Sequence, residues 1–157
     1  MFRLIPPGLH RLAYRAAFAV RRRWLRWRGG TIYGCNVIAR DGEGRLLAVR
    51  HSYGRKGWEF PGGGRSLSEE PEAAAMREFA EETGCVLAGL VHAGRVEEPY
   101  HGANNVVDVF TGLAIGEPRP DGREIVEARF FDLADLRIVG SATVRRRLDM
   151  LGHVDMA

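Results

Sequence analysis

Residues 58–85 read WEFPGGGRSLSEEPEAAAMREFAEETGC, which places a run of glycines shortly before an acidic segment with helix-forming residues. Within this stretch, Glu78, Glu81 and Glu82 stand at positions i, i+3 and i+4. In an α-helix that spacing puts all three carboxylates on one face. Like charges four residues apart destabilise a bare helix. The crowding therefore favours a bound cation, and a hard divalent ion such as Mg²⁺ takes oxygen ligands of this kind.

The residues on either side predict where this helix begins and ends. Ser66 and Ser68 are candidate N-terminal caps, and Pro71 suits a first helical turn. Gly84 suits the left-handed position that follows a helix. The glycine run at 62–64 offers bare backbone amides and carbonyls beside a helix N-terminus, where anions are favoured. Amides, carbonyls and carboxylates together indicate metal-assisted attack of water on a phosphate.

A fixed spacing links the glycine run to the acidic helix. It reads glycine, five residues, Glu, seven residues, Arg-Glu, an apolar residue, any residue, Glu-Glu, any residue, glycine and an apolar residue. The positions are filled by Gly63, Glu69, Arg77, Glu78, Phe79, Glu81, Glu82, Gly84 and Cys85. This pattern resembles the signature of the Nudix hydrolases and is far more specific than a short glycine motif. The resemblance is strongest over 58–85, is compatible over about 31–151, and does not cover the N-terminal arm.

The resemblance implies a pyrophosphohydrolase that uses Mg²⁺ or Mn²⁺ to cleave a nucleoside diphosphate linked to another moiety. The metal ligands that it implies are Glu78, Glu81 and Glu82, with a backbone carbonyl of Gly62 or Gly63. It also implies that Arg77 takes part in catalysis by orienting a ligand glutamate through an ion pair, and that Glu69 fixes the loop. The alternative is a nucleotide-sensing or interaction module without turnover. The intact set of glutamates favours the enzyme.

The resemblance leaves the general base open between one of the three glutamates and a further acid from a later loop, and the substrate contacts come from residues outside the signature. Candidate bases are Glu97, Glu98 and Glu124, because each is an acid that a later loop or strand brings back. Candidate substrate contacts are Arg50, Arg65, Tyr100 and Glu98: the arginines flank the glycine loop and suit phosphate, and the tyrosine suits stacking on a base. Pro99 and Tyr100 lie near positions that distinguish ADP-ribose and dinucleoside-polyphosphate subfamilies, and they decide neither. The sequence therefore predicts a small nucleotide-type substrate without naming it.

Composition and charge limit the other function classes. At 157 residues and 45% apolar content, the chain fits one domain with a substantial core. Two cysteines, Cys35 and Cys85, give no disulfide framework and are predicted to be reduced and buried, which suits a cytoplasmic protein. Residues 1–30 hold eight arginines and no acid, whereas the other 127 residues hold 15 basic and 20 acidic residues. The net charge of +3 therefore comes from an arm and does not indicate nucleic-acid binding.

The arm predicts a basic amphipathic helix over residues 8–28. Its apolar positions recur at helical spacing, and arginines fill much of the remainder. Arg15 interrupts a segment that is already too short to span a membrane. Three interpretations stay open: packing on the domain or across a homodimer, which is favoured; peripheral contact with an anionic membrane; and, least favoured, RNA phosphate. We accordingly divide the chain into an arm, 1–30, and a Nudix hydrolase domain, 31–157.

The remaining patterns predict an α/β fold. Strands are expected over 32–39 and 45–51 as a hairpin, then over 85–91, 94–98, 105–115 and 124–131. A final helix is expected over 141–151, capped by Ser141 or Thr143. Strands on both sides of one central helix indicate a mixed sheet with helices on both faces. The resemblance implies the same α/β/α sandwich.

Overall fold

The computed structural model describes residues 29–53 and 57–152, together with six positions near the N-terminus: Ala13, Ala16, Ala17, Ala19, Val20 and Arg23. Those six positions are helical and exposed. The rest of the predicted helix over 8–28 lies outside the described residues, so the arm as a unit stays a prediction. Among the residues described, no helix is long and apolar enough to cross a membrane.

Between residues 29 and 152 the described chain forms six strands and three helices around one mixed sheet. The strands are β1 (Thr31–Arg40), β2 (Leu46–His51), β3 (Gly64–Arg65), β4 (Val86–Tyr100), β5 (Ala103–Ile115) and β6 (Ile125–Phe131). The helices are α1 (Pro71–Thr83), α2 (Leu133–Val139) and α3 (Ala142–Gly152). The strand order is β4-β5-β1-β2-β6, with β3 paired to β1 outside that order. The β1–β5 pair is parallel and the other pairs are antiparallel.

Two cores cover the two faces of the sheet, because successive side chains of a strand point to opposite sides. On one face, Val37 and Phe110 pack with Phe79 of α1. On the other face, Ile38 and Val109 pack with residues of α2 and α3, namely Leu136, Val144, Leu148 and Leu151. Helices on both faces of a mixed sheet confirm the predicted fold class. Cys35 and Cys85 are both buried and unpaired, as predicted.

The glycine loop is attached to β1 by its backbone. The Cys35 amide donates to the Gly63 carbonyl at 2.9 Å, and the Val37 amide donates to the Pro61 carbonyl at 2.8 Å. At Gly62, φ is +150°, and a Cβ there would lie 2.1 Å from the Cys35 carbonyl oxygen. The approach of the two backbones therefore requires glycine at position 62. This attachment holds the loop beside the first core, where α1 faces it.

The start of α1 differs from its prediction. Glu70 occupies the N-cap position and makes no side-chain capping hydrogen bond. Ser66 and Ser68 instead hydrogen-bond to each other through their hydroxyls at 3.0 Å, so their predicted capping role is wrong. Pro71 does lie in the first turn, and Gly84 ends the helix in the left-handed conformation at φ 71°. Pro71 and Gly84 therefore mark the two ends of the helix, whereas the two serines do not.

Strand β4 also differs from its prediction, since it runs unbroken through residues where two strands were expected. Its pairing with β5 is irregular between Ala88 and Val91 and again between His92 and Gly94. Gly89 and Gly94 take positive φ values of 59° and 153°. Glycines of this kind mark bulges within a strand as readily as they mark its end. Two short elements, β3 and α2, were not predicted.

Candidate active site

Helix α1 presents Glu78, Glu81 and Glu82 at three depths. The Glu82 side chain is 7% exposed, and its Oε2 accepts a hydrogen bond from the Gly62 amide at 2.9 Å. The Glu78 side chain is 17% exposed, whereas that of Glu81 is 62% exposed. The face predicted from the spacing therefore points at the glycine loop through Glu78 and Glu82, with Glu81 at its outer rim.

Gly63 lies directly against the Glu78 carboxylate. A Cβ at Gly63 would come within 2.6 Å of the carboxyl carbon of Glu78 and 2.7 Å of both its oxygens. The Gly63 carbonyl already accepts the Cys35 amide, and the Cys35 thiol lies 3.8 Å from it. Burial raises the pKa of that thiol to about 11, which keeps it protonated. Of the two carbonyls predicted as ligands, that of Gly63 is thus engaged on its β1 side, and Gly62 is the better candidate.

Arg77 connects the loop to Glu78. Its Nε and one terminal nitrogen donate to the two oxygens of Glu69 at 2.9 and 3.1 Å. Its other terminal nitrogen donates to Glu78 Oε1 at 2.7 Å and lies 3.6 Å from Glu81 Oε2. The hydrogen bond from Arg77 lowers the pKa of Glu69. Arg77 thus forms the expected ion pair with Glu78, and Glu69 of the loop is bound to the same arginine.

Burial and neighbouring carboxylates disfavour the charged forms of Glu78 and Glu82. Burial raises the pKa of Glu82 well above its ordinary value, and the charges of Glu78, Glu124 and Glu81 raise it further. Burial also raises the pKa of Glu78, against the opposing effect of Arg77. Two partly desolvated carboxylates set against the glycine loop are suitable oxygen donors for a hard divalent cation.

The side chains alone do not complete a metal site. Within the described ranges, no three His, Cys, Asp or Glu side chains come close enough together to hold an ion. Mg²⁺ keeps several waters and commonly binds through one or two carboxylates together with substrate phosphates. The inner pair, the Gly62 carbonyl and the outer Glu81 therefore fit such an ion.

Glu124 is the candidate base that the fold brings to the site. It accepts a hydrogen bond from the Tyr53 hydroxyl, and its charge raises the pKa of Glu78 and of Glu82. Glu97 instead accepts a hydrogen bond from the Asn104 amide at 3.1 Å. Glu98 forms an ion pair of 2.7 Å with Arg147.

His51 lies on the inner side of the same cluster. Its Nε2 is 3.9 Å from Glu82 Oε1. Burial lowers the pKa of His51, and its Nδ1 is buried without a hydrogen-bond partner among the described residues. A neutral imidazole therefore sits beside the most buried glutamate and adds little positive charge to it.

A cleft of about 440 Å³ opens beside the glycine loop. Tyr100 and Glu98, two of the predicted substrate contacts, line it together with Tyr53. The other two predicted contacts are engaged elsewhere. Arg50 pairs with Glu127 on the neighbouring strand, and the Arg65 side chain is 8% exposed.

Arg147 is a residue that the sequence reading missed. It is 2% exposed, and it donates to Glu98 at 2.7 Å and to the Asn36 side-chain oxygen at 3.3 Å. Burial opposes ionisation of Glu98, but the hydrogen bonds and charges of Arg147 and Arg146 together outweigh it and lower the pKa of Glu98. The signal was present in α3, because Arg147 shares the buried face of the helix with Val144 and Leu148. A charged residue on an apolar face indicates a buried partner.

Comparison with known proteins identifies the family. A family model described as NUDIX domain matches residues 31–149. This chain belongs to the Nudix family. An RNA pyrophosphohydrolase of Saccharophagus degradans is 46% identical over 54 residues, which are 34% of this chain and 32% of that protein. An ADP-ribose pyrophosphatase of Mycobacterium tuberculosis is 38% identical over 82 residues, which are 44% of this chain and 40% of that protein.

These alignments cover limited parts of the relatives, since the chain spans about a third of the length of the first of them. A solved structure of a MutT NUDIX hydrolase from Burkholderia pseudomallei extends further. It is 25% identical, has a TM-score of 0.68, and covers 76% of this chain and 97% of that one. The Nudix fold is therefore shared over most of the described chain.

Proposed function

We propose that this Nudix protein is a Mg²⁺- or Mn²⁺-dependent pyrophosphohydrolase that cleaves a nucleoside diphosphate linked to another moiety, with water attacking phosphorus. The observation that carries the proposal is the placement of two carboxylates against the glycine loop: the buried Glu82 accepts a hydrogen bond from the Gly62 amide, and the half-buried Glu78 lies against Gly63. A divalent cation bound there would neutralise the pyrophosphate and lower the pKa of a bound water.

The chain's own residues would have distinct tasks around that ion. Glu82 and Glu78 would supply the inner oxygens, and Glu81 would close the ligand set from the solvent side. The Gly62 amide holds Glu82 by a hydrogen bond, and Arg77 holds Glu78, so each ligand has a fixed orientation. Orientation by such neighbouring groups commonly changes metal affinity 10- to 100-fold.

Glu124 is the residue that we assign as general base. Its carboxylate is oriented by the Tyr53 hydroxyl and lies in the field of the inner glutamates, whereas Glu97 and Glu98 are bonded to other groups. Glu124 would accept the proton of the attacking water at a carboxylate oxygen.

The cleft beside the loop is the proposed place of the nucleoside. Its volume of about 440 Å³ is in the range of small-molecule sites. Tyr100 offers an aromatic face, and Arg146 offers positive charge at the same cleft. The relatives named as RNA and ADP-ribose pyrophosphatases support a substrate with a nucleoside pyrophosphate, without selecting one.

The experiment is a turnover assay with Mg²⁺ and with Mn²⁺ on nucleoside triphosphates, ADP-ribose, NADH, sugar nucleotides, dinucleoside polyphosphates and capped RNA. We expect metal-dependent release of a nucleoside monophosphate from at least one of them. Glu82→Gln keeps an oxygen for the Gly62 amide but removes the charge, so it should reduce kcat by roughly 100-fold or more. Glu97→Gln is the matched control, because it makes the same change at a glutamate that is bonded to Asn104, and it should retain activity.

Two outcomes would count against the proposal. Unchanged turnover by a folded Glu82→Gln variant would remove Glu82 from the metal ligands. Tight nucleotide binding without turnover of any compound would favour the sensing module.

A further inference from the structure

A second charged cluster lies on the α1 face of the sheet, outside the candidate active site. At its centre is Asp108 of β5, which is 1% exposed. Its carboxylate accepts Arg95 Nε at 2.9 Å, pairs with His92 Nε2 at 3.0 Å, and accepts a terminal nitrogen of Arg65 at 3.4 Å. Burial opposes ionisation of Asp108, but the hydrogen bonds from Arg95, His92 and Arg65, together with the charge of Arg95, outweigh it and lower the pKa of Asp108. Asp108 is thus a buried anion held by two arginines and a histidine.

Arg65 extends from this anion to the loop that precedes α1. Its guanidinium lies over the Tyr33 ring, 5.3 Å from the centroid. Its other terminal nitrogen donates to the Ser66 and Glu69 carbonyls, both at 3.3 Å. The Arg65 Nε is buried without a hydrogen-bond partner among the described residues. The Asp108 carboxylate therefore compensates a buried cation, and its loss would leave that cation poorly paired.

The same loop segment is joined to Glu78 through Arg77. Glu69, whose carbonyl Arg65 holds, carries the carboxylate that binds Arg77 through two hydrogen bonds. Arg77 in turn donates to Glu78 at 2.7 Å. A continuous series of contacts thus runs from the interior of β5 to a candidate metal ligand. The contacts of Arg65 are long, at 3.3 to 3.4 Å, so the loop depends on several of them acting together.

We propose that Asp108 and Arg65 are positioning residues that fix the backbone of residues 66–69 and, through Glu69 and Arg77, the Glu78 carboxylate. The proposal rests on the proposed function, because it takes Glu78 as a metal ligand. It changes the role of Arg65 from a substrate contact to a support of the metal site. In this role, the buried charge of Asp108 supports the loop as well as joining β4 to β5.

The test compares two arginines that share one partner. Arg65→Gln and Arg95→Gln each remove one cation from Asp108, but of the two side chains Arg65 is the one bonded to the loop carbonyls. Mn²⁺ binding to the substrate-free protein is measured by electron paramagnetic resonance, and hydrogen exchange is followed at residues 66–70. We expect Arg65→Gln to weaken Mn²⁺ binding about 10-fold or more and to speed exchange. Arg95→Gln should leave both within about twofold of wild type.

A third variant tests whether weaker Mn²⁺ binding could arise from loss of folding. Arg65→Lys keeps the charge near Asp108 but lacks the planar fork needed to bond the carboxylate and two carbonyls together. It should keep the wild-type Tm and still weaken Mn²⁺ binding. Asp108→Asn should weaken Mn²⁺ binding and speed exchange, as Arg65→Gln does, whereas Arg95→Gln leaves both nearly unchanged.

The outcomes separate the two proposals. Wild-type protein that binds no Mn²⁺ would contradict the proposed function itself. Wild-type binding that Arg65→Lys and Arg65→Gln leave unchanged would overturn the positioning role. Equal losses in Arg65→Gln and Arg95→Gln, in proportion to their Tm values, would also overturn it, because the cluster would then act on stability alone.

Discussion

Two adjacent glycines of the loop meet different kinds of neighbour. A Cβ at Gly62 would lie 2.1 Å from the backbone oxygen of Cys35, and φ at Gly62 is +150°. A Cβ at Gly63 would meet the carboxylate of Glu78, which ends a flexible side chain. Backbone cannot move aside without disturbing β1, whereas a carboxylate can. One glycine therefore serves the fold and the other serves the site.

This difference predicts opposite effects for two alanine substitutions. Gly62→Ala should destabilise the protein by roughly 2 kcal/mol or more, because both the contact and the φ value are unfavourable. Gly63→Ala should leave the free energy of unfolding nearly unchanged but move Glu78, which should lower turnover or Mn²⁺ affinity about 10-fold. Urea unfolding and metal-activation curves measure the two effects. Full activity in Gly63→Ala would show that the position of Glu78 against the loop is unimportant.

Among the elements, α3 and α1 begin in different ways. At α3, the Ser141 hydroxyl accepts the amides of Thr143 and Val144 at 3.1 and 3.2 Å and donates to Glu59 at 2.8 Å. At α1, the N-cap is Glu70, and no side chain caps the helix. A capping hydroxyl thus fixes α3 to the strand segment before the glycine loop, whereas α1 depends on Pro71 and on packing.

Ser141→Ala should therefore lower the free energy of unfolding by about 1 kcal/mol, the usual effect of losing a serine cap. Ser68→Ala is the control, because Ser68 is exposed and does not cap α1. It should change the free energy of unfolding by less than about 0.5 kcal/mol. Chemical denaturation of both variants checks the comparison. A larger effect of Ser68→Ala than of Ser141→Ala would contradict this account of the two helix starts.

Elements with a long, regular pattern could be predicted from the sequence, and short or irregular ones could not. The α1 helix has good helix formers between a proline and a glycine, so its extent is encoded locally. In α2, seven residues long, Leu136 is the one buried residue, and a single buried position gives no periodic signal. The division of β4 into two strands failed because bulges and strand ends use the same glycines.

In the candidate site, too, features that depend on one element could be predicted, whereas contacts between distant elements could not. The spacing of Glu78 and Glu82 is local to one helix, so their shared face could be predicted from the sequence. Glu124 lies near the site because β6, which follows it, pairs with β2. Asp108 contacts Arg65 because β5 pairs with β1. Such contacts depend on how strands are arranged, which the pattern of one strand does not contain.

At the scale of the whole molecule, charge is divided between the arm and the body. Residues 1–30 hold eight arginines and no acid, and the remaining 127 residues hold five more acidic than basic residues. Most of the arm lies outside the described residues. Packing on the domain, homodimer formation and peripheral membrane contact through 8–28 therefore stay predictions. So does the division of the chain at residue 30.

The raised pKa of Glu82 predicts how the stability of the metal-free protein depends on pH. Burial and neighbouring carboxylates raise the pKa of Glu82, so the folded state holds that proton more tightly than the unfolded state does. The Glu82 contribution is therefore favourable below the ordinary Glu pKa of about 4.3 and is lost as pH rises through the raised value. Burial lowers the pKa of His51, so the contribution of His51 to the free energy of unfolding decreases as pH falls below its ordinary pKa.

Comparison with Glu82→Gln separates the two groups, since His51 is present in both proteins. In a chelating buffer, wild type should lose stability relative to Glu82→Gln as pH rises from about 4 towards neutrality. Mg²⁺ or Mn²⁺ should reverse that loss in wild type, by about 2.7 kcal/mol at a free concentration 100 times the Kd, and much less in the variant. Urea unfolding across this pH range, with and without metal, measures both effects. Parallel curves for the two proteins, unaffected by metal, would mean that the charge of Glu82 is compensated by the protein itself and that no cation is needed at this position.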